Sequence, residues 1–140
     1  MINTIESNGS LRVMTENFAH WHHERNLVDG VTNETQSIKG LEEFCELMQA
    51  IHKKDTPEEL INMMKVMLDD LLARGRIKTD ESTKTVYALM DAIGDSNVVF
   101  VNFAEREGFT LGQCFTGAWM DIKDRKGKMI NGIFVKESDL

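Results

Sequence analysis

The chain has 140 residues, 41% of them apolar and 28% charged, with a formal net charge of −7. That length and balance suit one globular domain over residues 1–140, with enough apolar surface for a core built without disulfides. The acidic balance excludes general nucleic-acid binding, which needs a basic surface to neutralise phosphates, and no apolar run reaches the ~18 residues that span a bilayer.

In chain order, the first segment, Met1 to Ser10, shows no basic-then-apolar leader pattern, so a cytoplasmic location is expected. A first helix is predicted from about Leu11 to Arg25, followed by a polar stretch, Asn26 to Thr32, with Asp29-Gly30 as a turn signal. Thr32 or Asn33 caps a second helix that reaches about Lys53. Asp55-Thr56-Pro57-Glu58-Glu59 reads as a strong helix start: a capping residue, proline at the first position and acids in the first turn. This third helix runs to Ala73 and stops at Gly75. A long fourth helix is expected over Asp80 to Glu107, ended by Gly108, and a fifth from Thr110 to about Lys126, ended by Gly127. The tail, Lys128 to Leu140, turns extended around Ile133-Phe134-Val135. The expected fold is all-α: an antiparallel bundle of five main helices with a four-helix core and a short C-terminal tail.

Two helices carry the chemistry. On the second, a rotation of roughly 100° per residue puts Leu41, Phe44, Cys45, Met48 and Ile51 on one face and Glu42, Glu43 and Glu46 on the other. Glu43 and Glu46 are one turn apart and can converge on one ion; the same pattern also fits a solvated acidic face. The fourth helix is apolar around most of its circumference, yet Lys84, Asp91, Asp95 and Asn102 fall nearly on one line. Carboxylates inside a core need a partner, either a basic side chain or a metal. Five acids on two helices, with no His or Cys among them, suit Mg²⁺ or Mn²⁺ better than Zn²⁺.

Elsewhere the functional signals are weaker. His20, His22 and His23 diverge around their helix and have no further ligand nearby, so they do not make a zinc site. Cys45 and Cys114, the two cysteines of the chain, lie in apolar helical patterns and read as buried free thiols.

These residues resemble a known family. Glu42-Glu43-x-x-Glu46 is similar to the EExxE motif of MazG-like, all-α nucleoside triphosphate pyrophosphohydrolases, and Asp91-Ala92-Ile93-Gly94-Asp95 to their second acidic motif. Asn102 matches an asparagine two turns on. Ile122-Lys123-Asp124-Arg125-Lys126-Gly127-Lys128 resembles the basic closing segment, and Trp21-His22-x-x-Arg25-Asn26-Leu27-x-x-Gly30 the entry segment of small phage-type members. Departures are visible too. Ala92 stands where the second motif has a glutamate, so Asp91 is the expected substitute. The stretch from Glu46 to Asp91 is longer than usual, and Trp119 and Met120 occupy the turn where an asparagine is common.

The resemblance implies Mg²⁺-dependent hydrolysis of a (deoxy)nucleoside triphosphate to the monophosphate and pyrophosphate. Glu43, Glu46, Asp91 and Asp95 would hold metal, Mg²⁺ or Mn²⁺, and Glu42 would accept the proton of the attacking water. Lys39, Lys123, Arg125 and Lys126 would bind phosphates, and Trp21, Asn26 and Asn102 the base or sugar. A homodimer or homotetramer is implied as well, consistent with an apolar patch of Met63, Met64, Met67 and Leu71 on the third helix. The expected partner is thus a small nucleotide, not a nucleic-acid polymer or a membrane. Two other readings remain open: a non-catalytic helical interaction module, and a related hydrolase acting on phosphoribosyl-ATP.

Overall fold

The structure, a computed structural model, describes residues 10–140. Five helices, α1 (Leu11–Glu24), α2 (Asn33–His52), α3 (Pro57–Ala73), α4 (Val86–Glu107) and α5 (Leu111–Ile122), precede a two-stranded hairpin, β1 (Gly127–Ile130) and β2 (Ile133–Lys136). The fold is all-α with a short C-terminal tail, and Met1 to Gly9, the bulk of the predicted leader-free segment, lies outside the described residues.

Helix ends follow local chemistry. Thr56 caps α3 by accepting from the Glu59 amide at 3.2 Å, with Pro57 at the first helical position. Thr110 opens α5 with a reciprocal capping box: its hydroxyl accepts from the Gln113 amide at 3.1 Å, and its own amide donates to Gln113 Oε1 at 2.8 Å. Asn26, with φ +56°, ends α1: the Leu27 amide reaches back to the His22 carbonyl at 2.8 Å and the Asn26 amide to that of His23 at 3.1 Å. Gly75 and Gly108, also at positive φ, close α3 and α4 in the same way.

Two boundaries differ from the sequence expectation. The fourth helix starts at Val86, not Asp80, because Thr85 supplies the cap, its hydroxyl accepting from the Ala88 amide at 3.0 Å. Asp80 caps a separate 3-10 turn, Glu81–Thr83, through the Ser82 amide. The fifth helix stops at Ile122 instead of about Lys126, since residues from Gly127 onward pair as a hairpin, Gly127 opposite Lys136 and Ile130 opposite Ile133. Asn131-Gly132, both at positive φ, makes the two-residue turn that strand twist favours. Gly127 admits no side chain, as a Cβ there would lie 2.2 Å from the Val135 carbonyl oxygen.

Contacts divide the chain into two compact units, each described by itself. One comprises the described residues up to Gln36 together with Gly94–Leu140; the other is Ser37–Ile93. The first unit has the core: Met14, Trp21 and Trp119 are buried, with Phe18, Leu27, Phe115, Ile122 and Phe134 packed against them. Met14, Phe18 and Trp21 share one face of α1 because they recur at helical spacing. Phe18 meets Phe115 edge-on at 5.5 Å, and Trp21 meets Phe134 of the hairpin at 5.5 Å. The Trp21 indole donates to the Ile122 carbonyl at 2.9 Å. Arg25 stacks on the Trp21 ring at 4.3 Å and donates to the Arg125 carbonyl at 3.0 Å, fixing the chain as it leaves α5.

In the second unit Leu60 is the buried apolar side chain among the described residues, and Cys45 Sγ lies 3.9 Å from Met64 Sδ where α2 meets α3. Cys114 is exposed and Cys45 only half-buried, so neither is the enclosed thiol that the sequence pattern suggests.

The Trp21–Ile122 hydrogen bond carries a stability prediction. Trp21→Phe keeps most of the ring packing and removes one of two hydrogen bonds to the Ile122 carbonyl, which still accepts from the Arg125 amide at 2.8 Å; the expected cost is about 1 kcal/mol. The expected outcome is a lower urea midpoint with an unchanged denaturant slope, followed by far-ultraviolet circular dichroism.

Candidate functional site

The α2 acids sit on a polar stripe with Lys39 at its centre. Its ammonium nitrogen is 2.9 Å from Glu42 Oε1 and 2.8 Å from Glu43 Oε1, pairs made possible by spacings of three and four residues. Partial burial works against the Lys39 charge, but hydrogen bonds and Coulomb attraction from Glu43 and Glu42 outweigh it and raise its pKa. Glu46, one turn on, is exposed and has no ion pair or hydrogen bond among the described residues.

Beside these acids, within the second unit, a cleft of about 560 Å³ runs between the C-terminal half of α2 and the start of α3. Glu42 and Glu46 stand on its wall, Cys45, Ala50, Pro57 and Leu60 make it apolar, and Lys54 and Gln49 add polar groups. Gln49 shapes the α2–α3 turn: its amide nitrogen donates to the Lys54 carbonyl at 2.8 Å and its oxygen accepts from the Lys54 amide at 3.2 Å. Its volume is in the range of small-ligand sites. The sequence reading missed it, because a cleft between two helices depends on how closely their axes approach.

On α4, Asp91 and Asp95 are four residues apart and share a face, as the spacing predicts. Both are exposed and, like Asn102 further along, have no ion pair or hydrogen bond among the described residues. Lys84 does not serve them: it pairs with Glu81 at 2.6 Å. The stripe therefore is not a structural ion-pair network centred on that lysine. Nor is the surrounding helix buried as its composition implies, since Tyr87 is 77% and Val98 69% exposed.

The basic candidates after α5 gather in part. Arg125 and Lys126 line a shallow cleft of about 370 Å³ with Lys136, Ser138 and the acids Asp121, Asp124 and Glu137. Arg125 is engaged by Asp121, one helical turn earlier, and Lys123 is half-buried. Lys136, absent from the sequence-derived set, enters through the hairpin pairing that sets it opposite Gly127. Trp21 is 6% exposed, its indole nitrogen satisfied within the core, and Asn26 holds the left-handed turn after α1. Both do structural work, as the sequence also allowed: Trp21 is the core anchor that its aromatic side chain suggests.

What the arrangement offers is two sets of hard oxygen donors on separate helices. Among the described residues of one chain, no three His, Cys, Asp or Glu side chains come together as a set able to hold a metal ion.

Lys39 gives a pH test. Its folded pKa lies above the usual 10.5, so its contribution to stability is complete below that value and is lost as pH rises through the folded value. The pair is largely exposed and worth about 1 kcal/mol or less. Urea midpoints of the wild-type chain and Lys39→Met should differ at pH 8 and converge near the alkaline end of the scan. No family model matches this chain, and comparison with curated proteins and with solved structures finds none similar to it.

Proposed function

We propose that the chain is a Mg²⁺-dependent nucleoside triphosphate pyrophosphohydrolase that works as a homo-oligomer. The observation that carries this reading is the set of uncommitted carboxylates, Glu46, Asp91 and Asp95, exposed on two helices and unpaired among the described residues. Oxygen-only donors at these spacings suit a hard divalent cation. Bound there, Mg²⁺ or Mn²⁺ neutralises phosphate charge and lowers the pKa of a coordinated water.

In this reading Glu43, Glu46, Asp91 and Asp95 hold the ion, and Glu42 accepts the proton of the attacking water. A bond forms from water oxygen to the α-phosphorus, and the bond to the bridging oxygen breaks, leaving the monophosphate and pyrophosphate. Lys39 already sits against two of the carboxylates and is the nearest cation for a phosphate oxygen. The cleft beside Glu42 and Glu46 gives room for a nucleoside, while Lys126 and Lys136 remain exposed candidates for phosphate. The long uncovered helices also fit a helical interaction module, which would bind a partner without turning over nucleotide.

Assembly belongs to the same reading. The sequence points to Met63, Met64, Met67 and Leu71, but Met63, Met64 and Leu71 are half-buried, and the barer positions on α3 are Val66, Leu68 and Leu72. Val86, Tyr87, Leu89, Met90 and Ile93 on α4 are exposed as well. Monomers rarely leave so many large apolar side chains uncovered. Light scattering at micromolar concentration should give a dimer or larger, and a monomeric mass would refute the assembly.

Glu46→Gln and Asp95→Asn each remove one charge and keep shape. Each should abolish Mg²⁺-dependent pyrophosphate release from a panel of ribo- and deoxyribonucleoside triphosphates while leaving the helical signal unchanged. Near wild-type turnover by either variant at saturating Mg²⁺ would overturn the ligand assignment, and an inactive wild-type chain across the panel would favour the interaction module.

A further inference from the structure

We infer that Cys45 and Met64 form a binding site for a soft monovalent metal ion, Cu(I) or its analogue Ag(I), where α2 meets α3, with Met48 as the third sulfur ligand. The site stands apart from the pyrophosphohydrolase reading, and none of its ligands is a carboxylate assigned there.

Two sulfurs from separate helices start the site. Cys45 Sγ lies 3.9 Å from Met64 Sδ, both side chains are half-buried, and both belong to the Ser37–Ile93 unit. A metal ion takes sulfur at ~2.3 Å, and two sulfurs bound at that length with roughly 120° between them stand about 4 Å apart. The pair thus already has the spacing of two corners of a trigonal site. Met48, three residues after Cys45 and therefore on the same face of α2, is half-buried as well. Its unbranched, flexible side chain can adapt a thioether to an ion that the other two sulfurs hold.

Donor chemistry selects the ion. Thiolate and thioether sulfurs favour Cu(I), whereas harder divalent ions take carboxylate oxygen or imidazole. A structural Zn²⁺ site draws four donors from Cys, His and carboxylates, and among the described residues no three His, Cys, Asp or Glu side chains come together. One thiolate with two neutral thioethers balances the single charge of Cu(I), so the loaded site is neutral and suits a half-buried place. Cys45 also stands on the wall of the cleft of about 560 Å³ between α2 and α3, which gives the ion a route from solvent. On binding, the Cys45 S–H bond breaks, a copper–sulfur bond forms and the proton leaves to water.

Anaerobic titration of Cu(I) against bathocuproine disulfonate, a coloured chelator, tests the site. Cys114, exposed on α5 in the other unit, is first removed as Cys114→Ser so that one thiol remains. That chain should bind one Cu(I), and adding Cys45→Ser should abolish binding. Met64→Leu and Met48→Leu keep volume and apolar character, and each should weaken binding by about 10-fold or more with helicity unchanged. X-ray absorption at the copper edge should count three sulfurs. Full affinity in Met64→Leu would show that the cysteine acts alone and would overturn the site. Full affinity in Met48→Leu would remove the third ligand, and tighter binding of Zn²⁺ than of Cu(I) would overturn the choice of ion.

Discussion

Apolar helical surface has to be enclosed, and in this protein that requirement governs everything near the candidate site. Helix α4 carries Val86, Tyr87, Leu89, Met90, Ile93, Val98, Val99 and Val101 exposed around the line through Asp91, Asp95 and Asn102. Water around such a helix is costly, and the free energy recovered by covering it is of the kind that drives association. Asp91 and Asp95 lie on that line, so whatever covers the apolar surface of α4 also approaches these two carboxylates.

Electrostatics acts on the same helices in the opposite direction. Glu42, Glu43 and Glu46 crowd one stripe of α2, and the chain answers with a single lysine that contacts the first two. Among the described residues Glu46 has no such relief, nor have Asp91 and Asp95 on α4. Exposed in water, these charges cost little; brought together under cover, they need positive charge. Apolar cover and charge are therefore coupled on α4, because enclosing its apolar surface raises the cost of leaving Asp91 and Asp95 uncompensated.

The unit that holds both chain-proximal and chain-distal residues is organised differently. Trp21 links α1 to the end of α5 through one hydrogen bond to Ile122 and to the hairpin through its contact with Phe134. Arg25 continues the link by stacking on the same ring and donating to the Arg125 carbonyl. The result holds the basic segment after α5 in a fixed turn, with Arg125 committed to Asp121 and Lys126 left outward.

Helix positions, caps and turns were legible from the sequence because they depend on neighbours a few residues away. The Thr56-Pro57-Glu58-Glu59 start, the Thr110 cap, the stops at Gly75 and Gly108, and the common face of Asp91 and Asp95 are all of this kind. The Asn131-Gly132 turn is equally local, yet the sequence reading took from this tail only the extended run Ile133-Phe134-Val135 and not the pairing that makes it a hairpin. Lys84 had two partners within one or two turns, and only side-chain geometry chose Glu81 over Asp91. Tertiary structure alone decided what packs on Trp21 in the core, that a cleft opens beside Glu42 and Glu46, and that α4 stays bare. Those outcomes depend on which helices approach one another. Periodicity says which face of a helix seeks cover; it does not say what covers it.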